Sequence, residues 1–128
     1  KDTGNVLNDG EFYFYGDYSN DGLFSYSTNS TTGYVVFEGK NQNQQKISGN
    51  SPSFFYDVLF NKQGQDFAFQ LTNEIETKGI VNLHDGVVYV DKDLGGAFVF
   101  LKGSNHINTS DDSYIDGEVL KIGNESFK

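Results

Sequence analysis

Near its start the chain writes the same five-residue phrase twice: Asn8-Asp9-Gly10-Glu11-Phe12, then Asn20-Asp21-Gly22-Leu23-Phe24. Each copy is a turn leading into a strand. Asn and Asp hydrogen-bond the backbone two residues on, Gly supplies positive-φ conformations, and Phe suits a strand with one buried face. Short apolar stretches and Gly/Asn/Asp turns alternate along the rest of the chain, and no stretch sustains a helical period. That pattern predicts an all-β fold. Strands are predicted over 12–16, 24–27, 32–39, 54–62, within the long stretch 69–90, and over 97–103 and 113–123, with 40–46 as a polar loop. The single proline, Pro52, falls in the loop before the fourth strand, where a missing N–H costs least.

Alternation sorts the faces of these strands. Phe12 and Phe14 share one side, with Glu11, Tyr13 and Tyr15 on the other; Val35 and Phe37 oppose Val36 and Glu38. In the central stretch Ile75, Thr77, Val81, Leu83, Val88 and Val90 line one interior, given kinks at Gly79 and Gly86. Strands greasy on one side only suit two architectures. One is an antiparallel β-sandwich, with Asn-Asp-Gly as a hairpin turn. The other is a right-handed parallel β-helix, a β-solenoid with rungs of about 20 residues around a shared core. In a solenoid, Asn side chains can pair amide to amide along the axis, and open ends present strand edges that template association. Periodicity alone leaves both open.

The chain has 128 residues, enough for one core, and a net charge of −9. An acidic surface repels phosphate backbones and anionic lipid, so nucleic acid and membrane surfaces are excluded as expected partners. No apolar run approaches the roughly 20 residues of a membrane span. Cysteine is absent, which removes disulfides and thiolate metal sites and is compatible with a bacterial extracellular protein resting on a continuous β core.

The block 34–62, YVVFEGKNQNQQKISGNSPSFFYDVLFNK, resembles a stretch common in large secreted surface proteins of Bacteroidota, especially flavobacteria. Those proteins are exported by the type IX secretion system, and some are linked to gliding motility and adhesion. The matching residues are Phe37 and Gly39, Gln44 and Gln45, Ile47-Ser48-Gly49, then Phe55, Tyr56, Asp57, Val58, Phe60 and Asn61. Residues 73–90 are similar to the family's turn-strand unit and 113–128 to its closing strand. Residues 10–22 are similar to its opening rung, with Tyr18 where Trp is common. The resemblance implies a right-handed parallel β-helix serving as stalk or binding module. It implies that residues 1–128 are a single solenoid domain, a piece of a longer cell-surface protein with flanking domains as immediate partners. It carries no catalytic residue set and no cofactor.

The residues themselves offer little chemistry. His84 and His106 read as separated turn histidines without ligand spacing. The carboxylates Asp9, Asp17, Asp21, Asp91, Asp93, Asp111 and Asp112 sit mostly beside Gly or Ser, where Asp caps a turn, so no pair is assigned to sugar hydrolysis. No Gly-x-Ser-x-Gly elbow is present, and an enzyme is not expected. Calcium is the one metal the composition suits, through Asp17 and Asp21 or Asp111 and Asp112, although neither EF-hand nor β-roll spacing appears. Tyr13, Tyr15, Tyr18 and Tyr26 are the candidate ligand-binding residues, because exposed rings stack on sugars. The expected function is thus a non-catalytic structural or adhesive module of a secreted bacterial surface protein. The alternative is a carbohydrate-binding module using those tyrosines, with polysaccharide or another surface protein as partner.

Overall fold

Glycine, asparagine and serine interrupt the apolar alternation so often that, among the described residues, no strand exceeds six residues. Short strands bury a face only by stacking on others like them. The structure, a computed structural model, describes residues 5–8, 10–26, 33–39, 44–62, 68–110 and 113–122. Among these, β1 (Asn5–Asn8) is followed by five successive triplets of strands. They are β2 (Glu11–Phe14), β3 (Tyr18–Asn20) and β4 (Leu23–Tyr26); β5 (Tyr34–Gly39), β6 (Gln45–Gly49) and β7 (Ser53–Phe55); β8 (Asp57–Lys62), β9 (Phe69–Leu71) and β10 (Glu74–Thr77); β11 (Ile80–Asp85), β12 (Val88–Val90) and β13 (Ala97–Phe100); β14 (Asn105–Ile107), β15 (Ile115–Asp116) and β16 (Val119–Lys121).

Each triplet contributes one strand to each of three sheets. Sheet I runs β1-β4-β7-β10-β13-β16, sheet II β14-β11-β8-β5-β2, and sheet III β15-β12-β9-β6-β3. Every strand-to-strand pairing is parallel. The one antiparallel contact among the described residues is an isolated bridge between Ser110 and Ser113. The fold is therefore a parallel β-solenoid, and the sandwich alternative is excluded.

Register turns inward residues into columns. In sheet II, Phe12, Val35, Val58, Val81 and His106 stand in one column, and Phe14, Phe37, Phe60 and Leu83 in the next. The rings of Phe14, Phe37 and Phe60 stack one per rung, with centroids 5.4 and 5.5 Å apart and interplanar angles of 23° and 12°. That spacing is close to the strand separation of about 4.8 Å, so each ring covers the one below. All six central residues assigned inward, Ile75 through Val90, are buried. Gly79 and Gly86 both fall at corners. Gly86 adopts φ 97°, and a Cβ there would meet the Lys62 carbonyl oxygen at 2.9 Å.

Each copy of the repeated Asn-Asp-Gly phrase leads into a strand, as expected; Asn8 and Asn20 occupy two corners at the N-terminal end, one leaving sheet I and the other leaving sheet III. Both side chains do the same work. Asn8 Oδ1 accepts from Gly10 N–H (2.9 Å) while its Nδ2 donates to Tyr34 O (3.1 Å). Asn20 Oδ1 accepts from Gly22 N–H (3.1 Å) while its Nδ2 donates to Pro52 O (3.1 Å). Each Asn closes its own turn and ties it to the next rung. Asn73 ties its corner to the preceding rung, donating to Ser51 O at 2.6 Å. The expected amide-to-amide pairing occurs between Asn108 and Asn82 (2.8 Å).

Two boundaries move. The predicted strand 54–62 bends at Tyr56 into β7 and β8. The polar loop yields at Gln45, which opens β6 and is buried because its carboxamide donates to Phe14 O and Gly16 O at the corner above. Phe37→Ala removes a ring packed on both sides and is expected to cost about 3–5 kcal/mol in chemical denaturation. Phe12→Ala, in the outermost rung, is expected to cost about 1 kcal/mol in the same experiment.

Candidate functional site

The parity that sends Phe12 and Phe14 inward sends Glu11, Tyr13 and Tyr15 outward onto the face of sheet II. Tyr13 and Tyr15 are 47% and 60% exposed. Their rings are nearly parallel, 18° apart in plane with centroids 6.4 Å apart. That separation is the two-residue rise of an extended strand, so the backbone itself sets the spacing. Tyr13 Oη donates to Glu11 Oε1 at 3.2 Å, which ties the ring to a neighbouring carboxylate. The Tyr13 hydroxyl is raised above its ordinary pKa, chiefly by that hydrogen bond and then by the Glu11 charge. On the next strand Tyr34 pairs with Glu11 in register, and Val36, buried, lies beside Tyr13. Partial burial raises the Tyr34 hydroxyl, followed by the charges of Asp57, Glu11 and Glu38. The result is an aromatic face in a negative field.

The other two tyrosines do not join it. Tyr18 is not a surface residue: the chain corners at Gly16 and Asp17, the inward parity of Phe12 and Phe14 carries through, and Tyr18 heads the core column that continues through Ile47, Leu71 and Val90. Its hydroxyl lies 2.7 Å from Ser53 Oγ, and its ring meets Phe14, Phe24 and Phe37 edge-on. Burial pushes its hydroxyl up to about 12. Tyr26 is half-buried at the end of β4, on sheet I, with its ring perpendicular to Tyr56 at 5.5 Å. The candidate site thus reduces to Tyr13 and Tyr15, with Glu11 and Tyr34 beside them.

The acidic candidates act on backbone. Asp17 Oδ1 accepts from Lys46 N–H (2.9 Å) and Asp21 Oδ1 from Asn50 N–H (3.0 Å). Both caps cross to the next rung rather than closing the local turn. Asp91 accepts from Gln70 Nε2 at 3.0 Å, and Asp93 is exposed. Asp9, Asp111 and Asp112 lie outside the described residues. Among the described residues no three His, Asp or Glu side chains gather as a metal-ligand group. His84 is exposed, whereas His106 is not a turn residue: it lies in β14 in register with Val81, its ring edge-on to Phe100 at 6.2 Å.

One pair was missed. Glu74 and Glu76, two apart on β10, share the outer face of sheet I and hydrogen-bond each other through their carboxyls. Glu76 is raised from 4.5 to about 7, first by that hydrogen bond, then by partial burial and the Glu74 charge. The signal was the Glu-Ile-Glu-Thr alternation, which puts both carboxylates on one side of any strand. At the N-terminal end, where sheets II and III stop one strand short of sheet I, an open cavity of about 500 Å³ is walled by Phe12, Phe14, Tyr18 and Phe24, with Asp17 and Asp21 at its rim.

No protein-family model, curated protein or solved structure matches the chain.

The raised Glu76 carboxyl has a measurable consequence. A carboxyl whose pKa rises on folding adds stability that is complete below its ordinary value of 4.5 and lost as pH climbs through about 7. Glu76→Gln is therefore expected to flatten the fall in Tm across that window, by no more than about 3 °C at a half-buried face screened by solvent. Melting curves of both proteins at matched pH read the difference.

Proposed function

We propose that this chain is a non-catalytic adhesive module of a secreted bacterial surface protein, of the type IX-exported kind its sequence resembles, and that it contacts polysaccharide through Tyr13 and Tyr15. The observation that carries the reading is the pair of exposed, nearly parallel rings at strand spacing, Tyr13 on the edge strand β2 and Tyr15 just past its end. Tyrosine offers a large amphipathic contact at low entropic cost, and the Glu11 hydrogen bond holds the Tyr13 hydroxyl in place. Support for a non-catalytic role comes from the corner carboxylates. Asp17 and Asp21 already accept backbone N–H groups and brace the rungs, which is structural employment. A solenoid also suits a spacer, since each added rung lengthens it without changing its cross-section.

A glycan array on the folded protein, followed by titration of the best binder, tests the reading. Tyr13→Ala and Tyr15→Ala are each expected to weaken binding about tenfold, or about 1.4 kcal/mol, with Tm unchanged. Tyr18→Phe, in the core, is expected to leave binding intact. A folded protein that binds no glycan above background overturns the proposal.

A further inference from the structure

We infer that the polysaccharide held at the Tyr13–Tyr15 face is an amino-sugar polymer carrying free, protonated amines; this rests on the reading of that face as a glycan contact. The charge around the rings is the reason. Outward positions of β2, β5 and β8 hold Glu11, Glu38 and Asp57, and among the described residues those strands present no Lys or Arg on that side. The one lysine in these strands, Lys62, points inward and is buried.

Each carboxylate has a defined relation to the rings. Glu11 accepts the Tyr13 hydroxyl directly. Glu11, Glu38 and Asp57 all act on Tyr34, the next ring along. Asp57 is fixed at the corner by accepting Ile80 N–H at 2.6 Å. A uronate or sulfate on a sugar stacked at Tyr13 would enter this field as a like charge and be repelled. A neutral sugar would gain stacking alone. A protonated amine would gain stacking, attraction to Glu11, and the favourable placement of a cation over a tyrosine face. The whole chain carries −9, so the long-range field also steers a cation toward the protein. Only the ring-proximal carboxylates make the preference local.

The experiment compares two probes of equal length, β-1,4-linked glucosamine oligomers with free amines and the same oligomers fully N-acetylated, with oligogalacturonate as the anionic probe. Binding is measured by calorimetry near pH 5.5, where the free amines of the probe are protonated. The free-amine oligomer is expected to bind about tenfold tighter than the acetylated one at about 0.01 M ionic strength, and the gap is expected to shrink at about 0.15 M as screening sets in. Glu11→Gln combined with Glu38→Gln is expected to close most of the gap, whereas Glu118→Gln, on a distant exposed side chain, is expected to leave it. Tyr13→Ala with Tyr15→Ala is expected to weaken both oligomers.

Each other outcome overturns something specific. Equal binding of the two glucosamine oligomers sinks the amine preference and leaves the tyrosine contact standing. Tightest binding of oligogalacturonate also sinks it. A preference that survives in the double-tyrosine variant assigns it to the overall charge and not to this face. Binding of none of the three probes sinks the amine preference, and binding of no glycan on an array removes the glycan reading itself.

Discussion

Everything in this molecule depends on parallel strands meeting in register, one rung above another. The hydrogen bonds that satisfy each strand come from the next turn of the coil, so no rung is complete by itself. Register then places like on like. The column Phe14, Phe37, Phe60 and Leu83 and the column Phe12, Val35, Val58 and Val81 are results of the pairing, and their packing stabilises the same pairing in return. A slip of one residue would turn every one of these side chains outward.

The corners are where parallel stacking is hardest, because the chain leaves one sheet before reaching the next and its backbone groups lose their ladder. Here side chains substitute for strands. Asn8, Asn20 and Asn73 donate to carbonyls of adjacent rungs, Gln45 donates to Phe14 and Gly16, and Ser113 donates to Leu83 O at 2.6 Å. Asp17, Asp21 and Asp57 accept backbone N–H groups across the same gap. Ser104 joins in by bonding both Gly79 O and Thr77 Oγ1. Part of the Asn, Asp and Ser in the sequence is explained by this task. It also accounts for acidic side chains that invite a metal-binding reading while already being engaged.

How much of this could be read from the residues follows from what is local. Strand parity is local, so the inward assignment of Val35, Phe37 and the six central residues matched the structure, and so did the outward assignment of Tyr13 and Tyr15. Corner positions are not local. Nothing in Phe55-Tyr56-Asp57 announces a bend, because the bend is fixed by pairing of Tyr34 with Asp57 and of Phe55 with Thr77. Tyr18 is the converse case: the parity of Phe12 and Phe14 runs on through Gly16 and places it inside, so its burial is legible, and grouping it with Tyr13 and Tyr15 by proximity overrides that signal. Gln45 looked like loop because its polarity was visible and its two carbonyl acceptors, some thirty residues back, were not. The Glu74–Glu76 pair was legible in principle, since any strand through Glu-Ile-Glu-Thr places both carboxylates together.

The interior also changes character from one end to the other. In the last triplet the column positions that hold Val81 and Phe100 pass to His106 and Lys121, whose Nζ turns to the Ser104 carbonyl. For a body that carries load, this grading matters. The hydrogen bonds between rungs lie along the axis, so axial tension strains them one layer at a time, whereas tension along the strands is spread over a whole ladder in shear. Pulled along its axis, the coil would unspool from the layer with the least apolar grip, that of β14 to β16, and the aromatic layers would hold longest. Such a body would yield in steps under force, paying out chain from one end while the ringed face at the other kept its shape.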